Sequence, residues 1–274
     1  YHKRPNVDLK YPDVKIHIHL QKEWLTVSLD SSGDSLHKRG YRTATNIAPI
    51  NEVLAAGMVL LSGYTGDENF IDPMCGSGTI LIEAAMIANN IPANINRKLF
   101  AFENWKDYDE DLYFTIQESL LKKIRSSHFK IMGFDKAPSA VEKAKANVEN
   151  ANLDEFIGVH HVNFFNSTKE VFGNTTILFN PPYGERLNID VEEFYKKIGD
   201  TLKHNYPNST AWLITSDTDA LKSVGLRTSK RIALKNADLD CKFVKYELYE
   251  GSRKIKDRKG EIDIKTNADS ERED

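Results

Sequence analysis

"FIDPMCGSGTILIEAA", Phe70 to Ala85, runs from an apolar stretch through an acid and a Gly-containing turn into a second apolar stretch with helical spacing. A strand ending at Asp72 and a helix opening at Gly78 account for that order. Gly76 and Gly78 leave room for a ligand to approach the main chain, and the helix N-terminus offers unpaired N–H groups to an anionic or carboxylate-bearing group. The turn lacks the GxGxxG spacing of dinucleotide folds, and no Lys-Ser/Thr pair follows as in a P-loop. A lone GxG also serves tight strand-to-helix packing. The stretch therefore defines a strand, turn and helix, and its ligand depends on what the neighbouring strands carry.

Downstream, short β-like runs alternate with helical ones. Strands are predicted at residues 69–73, 130–136, 159–165, 176–182 and 211–216, with helices at 78–89, about 108–123, 138–151 and 191–205. This alternation predicts an α/β fold with a largely parallel sheet. Residues 227–236 and 241–250 read as two further strands with no long helix between them, so an antiparallel hairpin should close the sheet. Upstream, residues 14–30 alternate and are interrupted near Gln21 to Glu23, which predicts a separate hairpin. Residues 48–63 predict a helix with Pro49 in its first turn and Gly63 as its stop. The charged end from Ser252 has little to bury and reads as a loose tail.

Composition limits the function classes. The 274 residues suffice for one large domain and a smaller piece. Cys75 and Cys241 make neither a disulfide framework nor a CxxC metal site, which suits a reducing cytoplasm, and no metal is called for. No apolar run reaches the roughly 18 residues of a spanning helix, and the first residues have no signal-peptide core, which argues against membrane and export readings. Net charge is only -3, yet residues 222–259 and the segment "LHKRGYR" lean basic. A basic face is often merely solvated, but two such regions can follow a phosphate backbone. Lys38, Arg39 and Arg42 are the candidates in the first, Lys230 and Arg231 in the second.

The strand ends form an ordered series. Asp135 closes the second strand, where a carboxylate can accept from both ribose hydroxyls of a nucleoside, although it also reads as a cap before Pro138. After the third, Asn163 could bond an adenine edge and Phe164 could line the ring, though an Asn there is also a common turn residue. The fourth ends in "ILFNPPYGERL", Ile177 to Leu187. Prolines lack N–H groups and stiffen the chain, so this segment stops the strand and leaves carbonyl oxygens without internal partners. The Asn180 side-chain oxygen and the Pro181 carbonyl can accept both hydrogens of an exocyclic amine, and the Tyr183 ring can stack on the plane carrying it. Bending both N–H bonds out of plane makes the nitrogen more sp3-like and aims its lone pair at an electrophilic methyl, with no strong general base required.

These motifs carry a resemblance. "DPMCGSGT" with "NPPYGERL", preceded by "LHKRGYR" and "APINEVLAA" and followed by "LDCKFVKYELYEG", resembles the THUMP-associated bacterial rRNA guanine-N2 methyltransferases, a branch of the class I S-adenosylmethionine-dependent enzymes, over roughly residues 14–251. The resemblance implies a Rossmann-like, seven-stranded domain at 44–251, a partial THUMP element and linker at 1–43, and a tail at 252–274. It implies that Asp72, Gly76 and Gly78, with Pro73 and Cys75 in the same turn, meet the methionine part of the cofactor. Asp135, with Lys136 beside it, would hold the ribose, and Asn163 and Phe164 would border the adenine. Asn180, Pro181, Pro182 and Tyr183 would hold the target amine, Asn180 also bordering the cofactor, and Ala48 and Pro49 would pass beside it. Relatives usually carry Asp where Asn163 stands, and they carry a complete THUMP domain, of which residues 1–30 can supply only the last strands. The implied partner is RNA, ribosomal and of the large subunit (23S).

Three other classes compete. A DNA amino-methyltransferase also uses NPPY but usually appends a large target-recognition region. A protein glutamine N5-methyltransferase would not need the basic segments. A non-catalytic nucleic-acid scaffold would not need intact cofactor and amine motifs. NPPY by itself does not separate guanine N2 from adenine N6.

Overall fold

The computed structural model describes residues 4, 6–9, 12–43, 49–182 and 190–250. Two sheets are present among them. β1 (Ile16–Gln21) and β2 (Trp24–Leu29) form an antiparallel hairpin. The register pairs Ile16 with Leu29, Ile18 with Val27 and Leu20 with Leu25, which collects six aliphatic side chains on one face. Both strands are exposed throughout.

The second sheet has seven strands in the order β5-β4-β3-β6-β7-β9-β8. These are β3 (Asn69–Asp72), β4 (Ile131–Asp135), β5 (Ile157–His161), β6 (Thr175–Phe179), β7 (Ser209–Thr215), β8 (Thr228–Asn236) and β9 (Leu239–Leu248). The first five are parallel, and β9 inserts antiparallel between β7 and β8. β3 and β6 are buried along their whole length, as central parallel strands covered on both faces are. Crossovers are made by α2 (Thr79–Ala88), α3 (Glu110–Leu121), α4 (Pro138–Asn150) and α5 (Val191–Asn205), with a short α6 (Ala220–Ser223) before β8. α1 (Glu52–Ser62) precedes the sheet.

A core lies on each face. One packs Met58, Leu81, Ile82, Val148, Trp212 and Phe243 beneath α1, α2 and α4. The other packs Phe179, Tyr195, Ile198, Leu202, Tyr206 and Tyr246 beneath α5. Gly199 lets α5 approach so closely that an added Cβ would strike the Val224 carbonyl oxygen.

Among the boundaries that differ from the sequence expectations, two bear on the site. The first helix begins at Glu52, because the Asn51 side chain accepts from Val53 N and Leu54 N at 2.9 and 3.3 Å and so caps it there. Pro49 therefore precedes the helix and does not sit in its first turn; Gly63 ends it at φ 86° as expected. β5 stops at His161, since Asn163 caps a 3-10 turn over Phe164–Asn166 where the apolar run suggested more strand.

Candidate cofactor and active site

The chain leaves β3 for β4 and β5 on one side and returns to β6 on the other, so β3 and β6 flank a topological switch point. Open α/β sheets have a crevice at the carboxyl ends of such strands. Here the crevice holds a cavity of about 290 Å³, near the lower end of the roughly 300 to 1,000 Å³ usual for small-molecule sites.

Its floor is the turn between β3 and α2. Asp72 accepts from Met74 N at 3.1 Å, and Gly76 and Gly78 take φ of 55° and 83°, which a side chain rarely tolerates. Cys75 N donates to Phe134 O at 2.9 Å and Gly76 N to Asp135 Oδ2 at 3.0 Å, which ties the turn to β4. No side chain among the described residues caps the first turn of α2, so its positive end stays open toward the turn. Asp135 also accepts from Ala137 N at 2.9 Å through Oδ1, and its half-buried carboxylate still faces the cavity.

Burial pushes the Asp72 carboxyl well above the usual carboxylate range; the Met74 N–H pulls it back and the negative Asp135 adds to the rise. Burial, followed by the charges of Asp72 and Asp135, pushes the Cys75 thiol up as well. A cationic group entering here would favour the ionised form of Asp72. An ammonium or sulfonium suits this floor better than an anion does.

At the other end of the switch point stands Asn180, directly after β6. Its Oδ1 is buried and has no hydrogen-bond partner among the described residues. Pro181 is buried and Pro182 half-buried, and neither has an N–H to satisfy that oxygen.

The cavity brings together Pro49, Asp72, Pro73, Cys75, Gly76, Asp135, Lys136, Asn163, Phe164, Asn180, Pro181 and Pro182. Gly78 does not line it; this glycine caps α2 and lies against Ala144, where a Cβ would come within 3.3 Å. Ala48 and Tyr183 lie outside the described residues. Asn163 is placed differently from the sequence reading in one respect: its Oδ1 already accepts from Phe165 N at 3.1 Å, so the amide nitrogen and one remaining lone pair are left for a ligand. Ile50, Met74, Ser77, Thr79, Ile80, Phe165 and Phe194 also line the cavity and were not anticipated. Met74, Ser77, Thr79 and Ile80 sit within the opening motif and could have been named from it. Phe194 reaches the cavity only because α5 packs edge-on to Phe165, with ring centroids 5.4 Å apart at 90°, and no local pattern announces that.

The basic candidates divide. Lys38 is exposed, 3.3 Å from Asp34, and Lys230 and Arg231 are exposed on β8. Arg39 and Arg42 are not surface cations, contrary to expectation. Arg39 clamps Glu83 with two bonds of 3.3 Å, and Arg42 pairs with Glu52 at 2.8 Å; the four side chains are only 2–15% exposed. Two buried acids claim these charges before any phosphate can. Burial nevertheless pushes Glu83 up to about 7 against the pull of Arg39.

Strand order and crevice together define a class I methyltransferase fold, with THUMP-type sequence ahead of it. The chain belongs to the family described as UPF0020, RMKL-like methyltransferase domain, which matches residues 39–245, and a THUMP domain matches residues 1–30. Slr0064 of Synechocystis sp. (strain ATCC 27184 / PCC 6803 / Kazusa) is 35% identical over 91% of this chain and 65% of that protein. The ribosomal RNA large subunit methyltransferase K/L of Photobacterium profundum is 36% identical over 95% of this chain and 37% of that protein. Among solved structures, SMU.472 in complex with SAH superposes with a TM-score of 0.80 at 35% identity, covering 87% of this chain and 63% of that one. The chain thus spans about two thirds or less of the length of these relatives.

Proposed function

We propose that this domain moves a methyl group from S-adenosylmethionine to an exocyclic amine of RNA, guanine N2 of large-subunit ribosomal RNA. The observation that carries the proposal is the Asn180 Oδ1, a buried acceptor without a partner among the described residues, beside two prolines at the edge of a cavity lined by acids. An amine donor is the group that would satisfy it.

In this reading Asp72 and the open first turn of α2 receive the amino-acid end of the cofactor, whose zwitterion matches one acid and one positive helix end. Asp135 accepts from the ribose, and Asn163 and Phe164 border the adenine. When bound, the cofactor supplies an electrophilic methyl. Asn180 and the Pro181 carbonyl orient the amine, Tyr183 is assigned to stack on the base, and Pro182 keeps the loop stiff. Positioning and electrostatics carry the reaction, and no side chain need act as a strong base. The SAH held by SMU.472 and the name of the K/L relative support the cofactor and the RNA. Lys38, Lys230 and Arg231 are assigned to RNA phosphates. No helix among the described residues is long and apolar enough to cross a membrane; a cytoplasmic RNA partner is part of this proposal.

The test is labelled methyl transfer from S-adenosylmethionine to RNA from cells lacking the protein, followed by nucleoside analysis. N2-methylguanosine is expected. N6-methyladenosine would replace guanine by adenine as the target, and label on protein glutamine alone would overturn the RNA reading.

A further inference from the structure

Arg42 is withdrawn from the surface, yet it makes more contacts than neutralising Glu52 requires. Its Nε donates to Glu52 Oε1 at 2.8 Å, while Nη2 donates both to Ile50 O at 3.1 Å and to Thr79 Oγ1 at 2.9 Å. Ile50 and Thr79 stand on different elements, one in the segment leading to α1 and one in the first turn of α2, and both line the cavity. The next residue reinforces the same wall: Thr43 N donates to Asn147 Oδ1 at 3.2 Å, and Asn147 Nδ2 donates to Ser77 O at 2.9 Å, Ser77 being another cavity residue. The segment after the hairpin therefore braces the cavity from behind.

The geometry points to Arg42 as a positioning residue that sets the spacing between the Pro49–Ile50 wall and the first turn of α2, and hence the affinity for the cofactor. A lysine could neutralise Glu52 but is a point charge; only the planar guanidinium fork pairs with an acid and bridges two further acceptors from one fixed plane. Arg42 carries a penalty for this, because its Nη1 is buried and has no partner among the described residues. A lysine would leave no such orphan. Arg39, three residues earlier, is the natural control: it is equally buried and pairs with Glu83, but it bonds to no cavity residue.

The inference rests on the cofactor reading above, and calorimetry with SAH on the folded chain separates the two. Arg42→Lys and Thr79→Val should each raise the SAH Kd about tenfold, the scale of one charge-assisted hydrogen bond. The double variant should be little worse than either alone, since both remove one shared contact. Arg39→Lys should lower the melting temperature and leave the SAH Kd within about twofold. If Arg42→Lys does not fold, Thr79→Val decides. Wild-type affinity in Thr79→Val, fully additive losses in the double variant, or an equal loss in Arg39→Lys would overturn the positioning role while leaving the cofactor reading intact. No SAH binding by the wild-type chain would overturn both.

Discussion

Asn180 carries opposite expectations for stability and for activity. Its buried Oδ1 is unpartnered among the described residues, so Asn180→Ala removes a desolvated acceptor that stabilises nothing there. The melting temperature and the SAH Kd should stay near wild type, while methyl transfer falls by about two orders of magnitude or more, the scale of losing one positioned polar group. A melting temperature that drops with activity would make the loop structural. The two raised acids add a pH dependence whose sign follows from their direction. Glu83 rises from 4.5 to about 7, so its contribution to stability is fully present below about 4.5 and is lost as pH rises through 7. Asp72 is raised by burial and acts in the same direction. The melting temperature of the ligand-free chain should therefore fall between pH 5 and 8. Glu83→Gln should flatten that slope, because the amide mimics the protonated carboxyl and has no proton to lose. An unchanged slope in Glu83→Gln would remove Glu83 as its source.

At the scale of elements, Gly199→Ala sets two effects against each other. Alanine gains about 1 kcal/mol of helix propensity, but its Cβ would strike the Val224 carbonyl, and a backbone clash cannot be relieved by a rotamer. The clash should win, and thermal melting should fall by several degrees; an increase would mean that α5 can shift away freely. The periodicities placed the sheet strands and α2, α4 and α5 closely, because buried parallel strands and amphipathic crossovers leave strong local patterns. The strand-end residues were readable for a related reason: one topology brings every such end to one edge. What depended on distant packing was not readable. The sequence "HKRGYR" shows basic residues, but only the fold reveals Glu83 and Glu52 waiting for two of them. Phe164 and Phe165 looked like strand because both are apolar, but the cap from Asn163 turns the chain there, leaving Phe164 buried and Phe165 partly buried.

Across the whole molecule, β8 presents Lys230 and Arg231 at the open edge of the seven-stranded sheet, and Lys230 faces Lys245 in register. Lys245 is paired with Glu247 at 3.3 Å, whereas Lys230 and Arg231 are exposed and available to an anion on this edge. Replacing Lys230 and Arg231 with Ala should flatten the salt dependence of RNA binding by about 0.7 per lost phosphate contact on a single strand, and about 1.4 for the pair. A slope unchanged between about 50 and 200 mM salt would move the phosphate track elsewhere. The order of the last two strands carries a different consequence, in time. β9 follows β8 in the chain but lies inside it in the sheet, so β8 has no seat until β9 has been made. At about 5–20 residues per second, a ribosome needs roughly 2 to 8 seconds to go from the start of β7 to the end of β9. Through that interval β7 waits with one edge open, and any factor that shields nascent chains meets this domain with its cofactor half already synthesised and its sheet not yet closed.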